Sequence, residues 1–152
     1  MAELWVYHLE RTTLEHVLPE LLEKVLQRGW RAVVQVGSDA RADALDQALW
    51  TYRDDSFLPH GTMREPHPED QPVLIGTSGE SLNQADVLIV AEAAEPLAPE
   101  RIARFERSIL IFDGGDTEAL TAARAAWKGA RDAGLGTSYW QQSAAGKWEK
   151  KA

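Results

Sequence analysis

The order of strand and helix patterns in the first 50 residues constrains the fold of this chain more than any other feature. Residues 4–9 (LWVYHL) are a short apolar run, which predicts a buried strand. Thr12 and Glu15 predict a capping box for a helix that follows, and Gly29 is placed to end that helix. Seven apolar residues recur at the spacing of one helix face: Leu14, Val17, Leu18, Leu21, Leu22, Val25 and Leu26.

The same alternation continues along the chain. Residues 32–36 predict a second strand, Gly37-Ser38-Asp39 a turn with a helix N-cap, and Ala42, Leu45, Ala48 and Leu49 the inner face of a second helix. Three more strands are predicted at residues 73–76, 87–90 and 108–112, with a short helix at 100–105 and a final helix at 116–133. Strands alternating with helices predict the α/β class, with a mostly parallel sheet flanked by helices.

The length of 152 residues, with 44% of them apolar, predicts a single domain over residues 1–152. Residues 51–72 contain four prolines without strand or helix periodicity, which predicts a long connection. Residues 137–152 predict either two short strands around an Ala-Ala-Gly turn or one strand with a frayed end.

Composition excludes several classes of protein. A net charge of −8 argues against binding of nucleic acid over a broad surface, because that mode needs a basic footprint. The chain has no cysteine, which excludes disulfides, thiolate zinc sites and thiol nucleophiles. Residues 87–91, the longest aliphatic run, are too short to span a bilayer, and the N-terminus lacks the basic region of an export signal. The expected location is therefore the cytoplasm.

Residues 108–116 carry the pattern that comes nearest to an enzyme motif. A predicted strand there is followed by Asp113-Gly-Gly-Asp116, as around the magnesium-binding aspartate of P-loop nucleotidases. That chemistry requires a GxxxxGK[ST] loop, which the chain lacks, and the glycine-rich stretch at residues 76–81 has no lysine. A structural role is favoured, with Asp116 or Thr117 capping the final helix.

The histidines and serines support no catalytic or metal site. His60 and His67 share one acidic loop but lack a helical HExxH spacing, so a solvated loop is favoured over a zinc site. His8 is expected in a strand and His16 on a helix surface. No GxSxG motif is present, so a serine nucleophile has no support. We predict no catalytic residue, no metal and no cofactor.

The final helix has two contrasting arcs. Six alanines fall on one arc and predict close packing: Ala119, Ala122, Ala123, Ala126, Ala130 and Ala133. Roughly opposite lie Leu120, Arg124, Trp127, Lys128 and Arg131. Trp127 either packs under a loop or the C-terminal tail beside solvated cations, or belongs to a recognition site. Such a site suits a peptide that ends in an aromatic residue and a free carboxylate. Single-stranded nucleic acid is compatible too, although the net charge disfavours it.

Two motifs carry a family resemblance. The first is Leu45-Asp46-x-Ala48-Leu49-Trp50 followed by SFLPH at residues 56–60, and the second is Trp127-Lys128-x-x-Arg131-x-Ala-Gly134. Together with the aromatic first strand and the later strands, they make essentially the whole chain similar to the chi subunit of bacterial DNA polymerase III. The resemblance implies a Rossmann-like fold without the phosphate loop, and a non-catalytic accessory subunit of the replicase. We interpret the first motif as mainly structural, with Trp50 anchoring the helix end.

The resemblance also implies partners. Chi proteins link the clamp-loader assembly to single-stranded DNA-binding protein by binding its acidic C-terminal tail, which ends in Asp-Asp-Ile-Pro-Phe. They also contact the psi subunit, whose surface the sequence does not assign. By position, the tail-binding residues are Arg124, Trp127, Lys128 and Arg131. Leu120, which is basic in some relatives, and Trp140, near the C-terminal lysines, are peripheral candidates. A degenerate nucleotide-binding domain and a direct binder of single-stranded DNA remain the alternatives.

Overall fold

The computed structural model describes residues 2–10, 12–51, 59–78, 80–91, 97–143, 145 and 147–151. These residues form one sheet of eight strands in the order β3-β4-β2-β5-β6-β1-β7-β8. The strands are β1 (Glu3–Leu9), β2 (Ala32–Gln35), β3 (Gly61–Thr62), β4 (Val73–Gly76), β5 (Val87–Ala91), β6 (Arg107–Asp113), β7 (Gly136–Gln142) and β8 (Trp148–Lys150). The helices are α1 (Leu14–Gln27), α2 (Asp39–Thr51), α3 (Pro99–Ile102) and α4 (Thr117–Asp132).

The strand pairs are parallel except for β7 with β8, which is antiparallel. Helices α1 and α2 pack on one face of the sheet, and α3 and α4 pack on the other. Strands β2, β4 and β5 are buried along their whole length, because helices or loops cover both faces of a parallel sheet. The predicted α/β class, with a mostly parallel sheet flanked by helices, is confirmed.

The sequence predictions for the ends of α1, α2 and α4 are confirmed except at the start of α1. Gly29 and Gly134 have φ of +78° and +82°, so each provides the left-handed conformation that follows a helix C-terminus. Ser38 Oγ accepts a hydrogen bond from the Arg41 backbone N–H at 3.1 Å, as the predicted N-cap of α2. The capping box on Thr12 is wrong. The N-cap of α1 is Thr13, which makes no side-chain cap bond, so the helix begins one residue later.

Part of the connection at residues 51–72 belongs to the sheet. Its Gly61–Thr62 segment forms β3 at the sheet edge beside β4, and Pro68–Asp70 forms a 3-10 turn. Periodicity did not reveal β3, because a strand of two residues has none. Residues 52–58, including the Ser-Phe-Leu of the first family motif, lie outside the described residues.

The C-terminal segment forms two strands, the first of the two alternatives considered for it. β7 joins the sheet beside β1, and β8 returns antiparallel along β7 to become the last strand in the order. Within the described part of the chain, every helix is too short or too polar to cross a membrane.

Candidate peptide-binding site

Helix α4 rests on the sheet through its smallest side chains. Its N-cap is Asp116, whose Oδ1 accepts hydrogen bonds from the backbone N–H groups of Glu118 at 3.1 Å and Ala119 at 3.2 Å, as predicted. The helix contacts β1, β6 and β7. Three of its alanines are buried: Ala123, Ala126 and Ala130. The absence of larger side chains at these positions lets the helix backbone lie close to the sheet.

The buried side of α4 is rotated from the predicted arc. Ala122 and Ala133 are exposed, contrary to prediction, whereas Leu120 and Trp127 are half-buried and pack against the apolar cluster beneath the helix. The physical reason is that the two large apolar side chains bury far more surface than two alanine methyl groups would. Trp127 therefore borders the buried side of α4 instead of lying opposite it.

The three predicted cations project from the outer part of the same helix. Arg124, Lys128 and Arg131 are exposed, and none of them forms an ion pair with another described residue. Arg131 Cζ lies 4.7 Å from the centroid of the Trp127 ring, within cation–π range. We call Leu120, Arg124, Trp127, Lys128 and Arg131 the α4 binding face. It combines half-buried apolar side chains with positive charges that form no ion pair among the described residues.

Tyr139 of β7 is a further residue beside this face that the sequence analysis missed. Its side chain packs in the apolar cluster under α4, and its hydroxyl lies 3.2 Å from Nδ1 of the buried His8. Burial raises the pKa of Tyr139 above its ordinary value, and the positive charge of Arg124 opposes that change. The alternation of side chains along a strand would have indicated Tyr139, once the face of β7 that α4 covers was known.

Trp140 lies on the other face of the sheet. Its ring packs against Trp5, with centroids 5.8 Å apart, and against Tyr7, with centroids 6.3 Å apart. Consecutive residues of a strand point to opposite faces, so Tyr139 and Trp140 separate. Lys150 is paired with Trp140 in the β7–β8 register and shares its face. The structure therefore does not bring Trp140 or this C-terminal lysine to the α4 binding face.

A cavity of about 990 Å³ opens at the carboxyl ends of β1, β5 and β6, where ligands of α/β sheets commonly bind. Among the described residues that line the cavity, Arg41 is the one cation, and it forms an ion pair with Glu15. Five carboxylates are among the described residues that line the cavity: Glu10, Glu15, Asp113, Asp116 and Glu118. This charge disfavours the phosphate groups of a nucleotide. Asp113 Oδ1 accepts a hydrogen bond from Gly115 N–H at 2.9 Å, so this stretch is the predicted turn.

The loop histidines differ from each other. His67 is exposed beside Glu69 and Asp70, as expected for a solvated loop. His60 is 4% exposed, so the prediction of a solvated position is wrong for it. Its Nε2 lies 3.0 Å from the Asp46 carbonyl oxygen, and its ring lies 4.4 Å from that of Trp50. Tertiary packing against α2 provides the polar partner that allows this histidine to be buried.

Trp50 marks the end of the first family motif. Its ring contacts that of His60, yet the residue is 45% exposed, so it only partly anchors the end of α2. Gly79 of the glycine-rich stretch at residues 76–81 and Gly146 of the C-terminal turn lie outside the described residues.

Comparison with known proteins decides the family. A family model described as "DNA polymerase III chi subunit, HolC" matches residues 1–138. The chain belongs to the DNA polymerase III chi subunit family. The family match runs from β1 through α4 into β7, and so includes both motifs on which the resemblance was based. Membership of the chi family assigns the protein to DNA replication as a subunit of DNA polymerase III.

Two chi relatives illustrate the extent of the similarity. The chain is 29% identical over 117 residues to a Rickettsia prowazekii protein named "Probable DNA polymerase III subunit chi", covering 74% of this chain and 71% of the relative. It is 30% identical over 69 residues to "DNA polymerase III subunit chi" of Pseudomonas aeruginosa, covering 45% of this chain and 47% of the relative. The recognition of the chi family from the sequence is thus confirmed.

Proposed function

We propose that this chi-family protein binds the acidic C-terminal tail of single-stranded DNA-binding protein at the α4 binding face, and so links that protein to the clamp-loader assembly. The observation that carries the proposal is the environment of Arg124, an exposed cation beside apolar side chains. Its guanidinium is exposed, has no ion-pair partner among the described residues and lies on the helix flank that holds the half-buried Leu120 and Trp127.

The charges of the face suit the end of such a tail. A guanidinium can donate two parallel hydrogen bonds to one carboxylate, which makes Arg124 the expected partner of the terminal carboxyl group. Arg131 and Lys128 follow along the exposed surface of α4, where they would face the aspartates that precede the terminal residue. The chain as a whole has a net charge of −8, so an acidic peptide is expected to bind only where cations are concentrated, as on this face.

The apolar part of the face suits the terminal phenylalanine. Leu120 and Trp127 are half-buried, and each leaves part of its side chain available to a ligand. Tyr139 packs in the same apolar cluster beneath α4 as Leu120 and Trp127, which adds an aromatic ring to this side of the sheet. Leu120 adds apolar contact at a position where the resemblance to chi proteins implies a basic residue in some relatives.

The direct test is calorimetric titration with a short peptide ending in Asp-Asp-Ile-Pro-Phe, beside the same peptide amidated at its C-terminus. We expect the free acid to bind and amidation to weaken binding by at least about tenfold, because it removes the group that Arg124 would hold. Equal binding of the two peptides would show that the terminal carboxylate is not recognised. Failure of both to bind to folded protein would reject the site.

Lys128→Ala should have a small, salt-dependent effect. Lys128 is exposed on α4, and such a charge interacts with a ligand through solvent, where dissolved ions screen it. We expect affinity for the free-acid peptide to fall about two- to fivefold at about 50 mM salt, and the difference to vanish at about 500 mM. A loss that persists at high salt would instead indicate a direct, desolvated contact.

The remaining parts of the proposal concern the protein's place in the replicase. We propose a non-catalytic role in the cytoplasm, with psi or another clamp-loader component as the second partner. The carboxylates around the cavity at the ends of β1, β5 and β6 support this over nucleotide hydrolysis, since they would repel a triphosphate. The second partner must contact a surface other than the α4 binding face if both partners bind together.

A further inference from the structure

Four of the chain's six tryptophans gather on the sheet face opposite α4. The Trp5 and Trp140 rings stack at 30° with centroids 5.8 Å apart. Tyr7 lies between Trp140, at 6.3 Å, and Trp148, which meets it edge-on at 4.9 Å. Trp30, just after α1, packs against the same cluster. We call Trp5, Tyr7, Trp30, Trp140 and Trp148 the aromatic face.

All four tryptophans of this face are half-buried, so each contributes some ring surface to the exterior. The indole Nε1 atoms of Trp5 and Trp140 are buried and have no hydrogen-bond partner among the residues that the structure describes. Buried tryptophans normally satisfy this donor. Apolar and ring contacts, rather than a polar network, therefore hold the aromatic face together.

Cations lie at both sides of the aromatic face. Arg107 Cζ is 3.9 Å from the Trp5 ring centroid and 5.4 Å from that of Trp30, and Arg28 Cζ is 4.1 Å from the Trp30 centroid. At the other side, Lys150 is paired with Trp140 in the strand register and shares its face. Lys147 and Lys151 flank β8, and the alternation of side chains along the strand places them toward the opposite face.

Few carboxylates offset this charge. Glu3 lies 3.6 Å from Arg107. Glu149 lies 3.8 Å from Lys151, and the strand register places both toward the opposite face. The three cations of this face, Arg28, Arg107 and Lys150, thus have one acidic neighbour among the ion pairs of the described residues, which makes the region positive on a protein of net charge −8. Three of the chain's five lysines fall within residues 147–151.

We propose that the aromatic face binds single-stranded nucleic acid. Aromatic rings on a sheet can stack on bases of any sequence, and surrounding cations neutralise the phosphates. Arg107 on β6 and Lys150 on β8 are separated by three strand spacings, at least about 14 Å. That separation is too wide for one carboxylate and suits a chain with repeated phosphates. An acidic peptide tail is better matched by the α4 binding face, where Arg124 is exposed beside the apolar side chains of Leu120 and Trp127.

The test is fluorescence anisotropy of a labelled oligo(dT) of about 15 nucleotides, titrated with the full-length protein at about 50 mM salt. Lys150→Glu should weaken binding about tenfold and make the slope of log affinity against log salt shallower by about 0.7 or more. The matched control is Arg104→Glu, an exposed cation in the turn after α3 on the other side of the sheet, which should change affinity less than about twofold.

Four results would overturn the proposal. The first is no binding of the oligonucleotide to folded protein. The second is an equal loss for Lys150→Glu and Arg104→Glu, which would indicate only a change in total charge. The third is displacement of the oligonucleotide by the tail peptide. The fourth is a dimer in sedimentation that Lys150→Glu dissociates, because a second copy would then cover the face. Peptide affinity, measured on the same samples, keeps this test separate from that of the proposed function.

Discussion

Replacing Arg124 by alanine is expected to weaken binding of the free-acid tail peptide about ten- to a hundredfold, or about 1.5–3 kcal/mol. Arg124 is exposed on α4 and has no ion-pair partner among the described residues, so its removal should not disturb the folded protein. The loss would come from the charge-assisted hydrogen bonds that the guanidinium donates to the terminal carboxylate. Calorimetric titration at constant salt measures this change directly.

Two controls test whether the loss of affinity comes from the contact between Arg124 and the terminal carboxylate. Arg124→Lys keeps the charge but cannot form the two parallel hydrogen bonds, so it should bind with an affinity between those of the wild type and Arg124→Ala. The amidated peptide should bind Arg124→Ala and the wild type almost equally, because the group that Arg124 recognises is already absent. Wild-type affinity of Arg124→Ala for the free acid would reject the residue assignment and leave membership of the chi family standing.

Enlarging Ala130 to leucine is expected to lower the free energy of unfolding by about 1–3 kcal/mol. Ala130 is 0% exposed, and α4 contacts β1, β6 and β7 through it and the two other buried alanines. Three extra carbon atoms at this position must displace either the helix or the strands beneath it. Urea unfolding followed by circular dichroism measures the change, with the slope against urea showing whether the transition stays two-state.

Ala122→Leu is the matched control for this prediction. It makes the same substitution in the same helix at an exposed position, and should change stability by no more than about 0.5 kcal/mol. Equal destabilisation by the two variants would mean that α4 packs as the sequence pattern first suggested, with Ala122 also facing the sheet. Ala130→Leu should in addition reduce peptide affinity, since moving α4 would separate Arg124 from Tyr139.

The two proposed binding sites use opposite faces of one sheet. The α4 binding face would take a short peptide end, and the aromatic face would take a segment of single-stranded nucleic acid. The two sites lie on opposite sides of β7, because Tyr139 points toward α4 while the next residue, Trp140, points away. Binding at one face therefore leaves the other accessible, which would allow one molecule to contact both partners at once.

The sequence by itself determined the structural features that depend only on residues close to one another along the chain. The apolar periodicity of α1, the capping of α4 by Asp116 and the left-handed turns at Gly29 and Gly134 are local, since they are set by side chains within a few positions. The α/β class follows from the order of such elements. The positions of the cations in α4 were likewise clear, because they are fixed by the helix period.

Tertiary structure decided the environment of these residues. The sequence pattern placed Trp127 on the outer side of α4, but packing on the sheet turned it to the border of the core. The burial of His60 beside Asp46 and the pairing of β3 with β4 also depend on residues that approach only after folding. β7 joins the sheet in one register, which fixes which of its side chains point toward α4. Tyr139 therefore lies under α4, whereas Trp140 lies on the other face of the sheet.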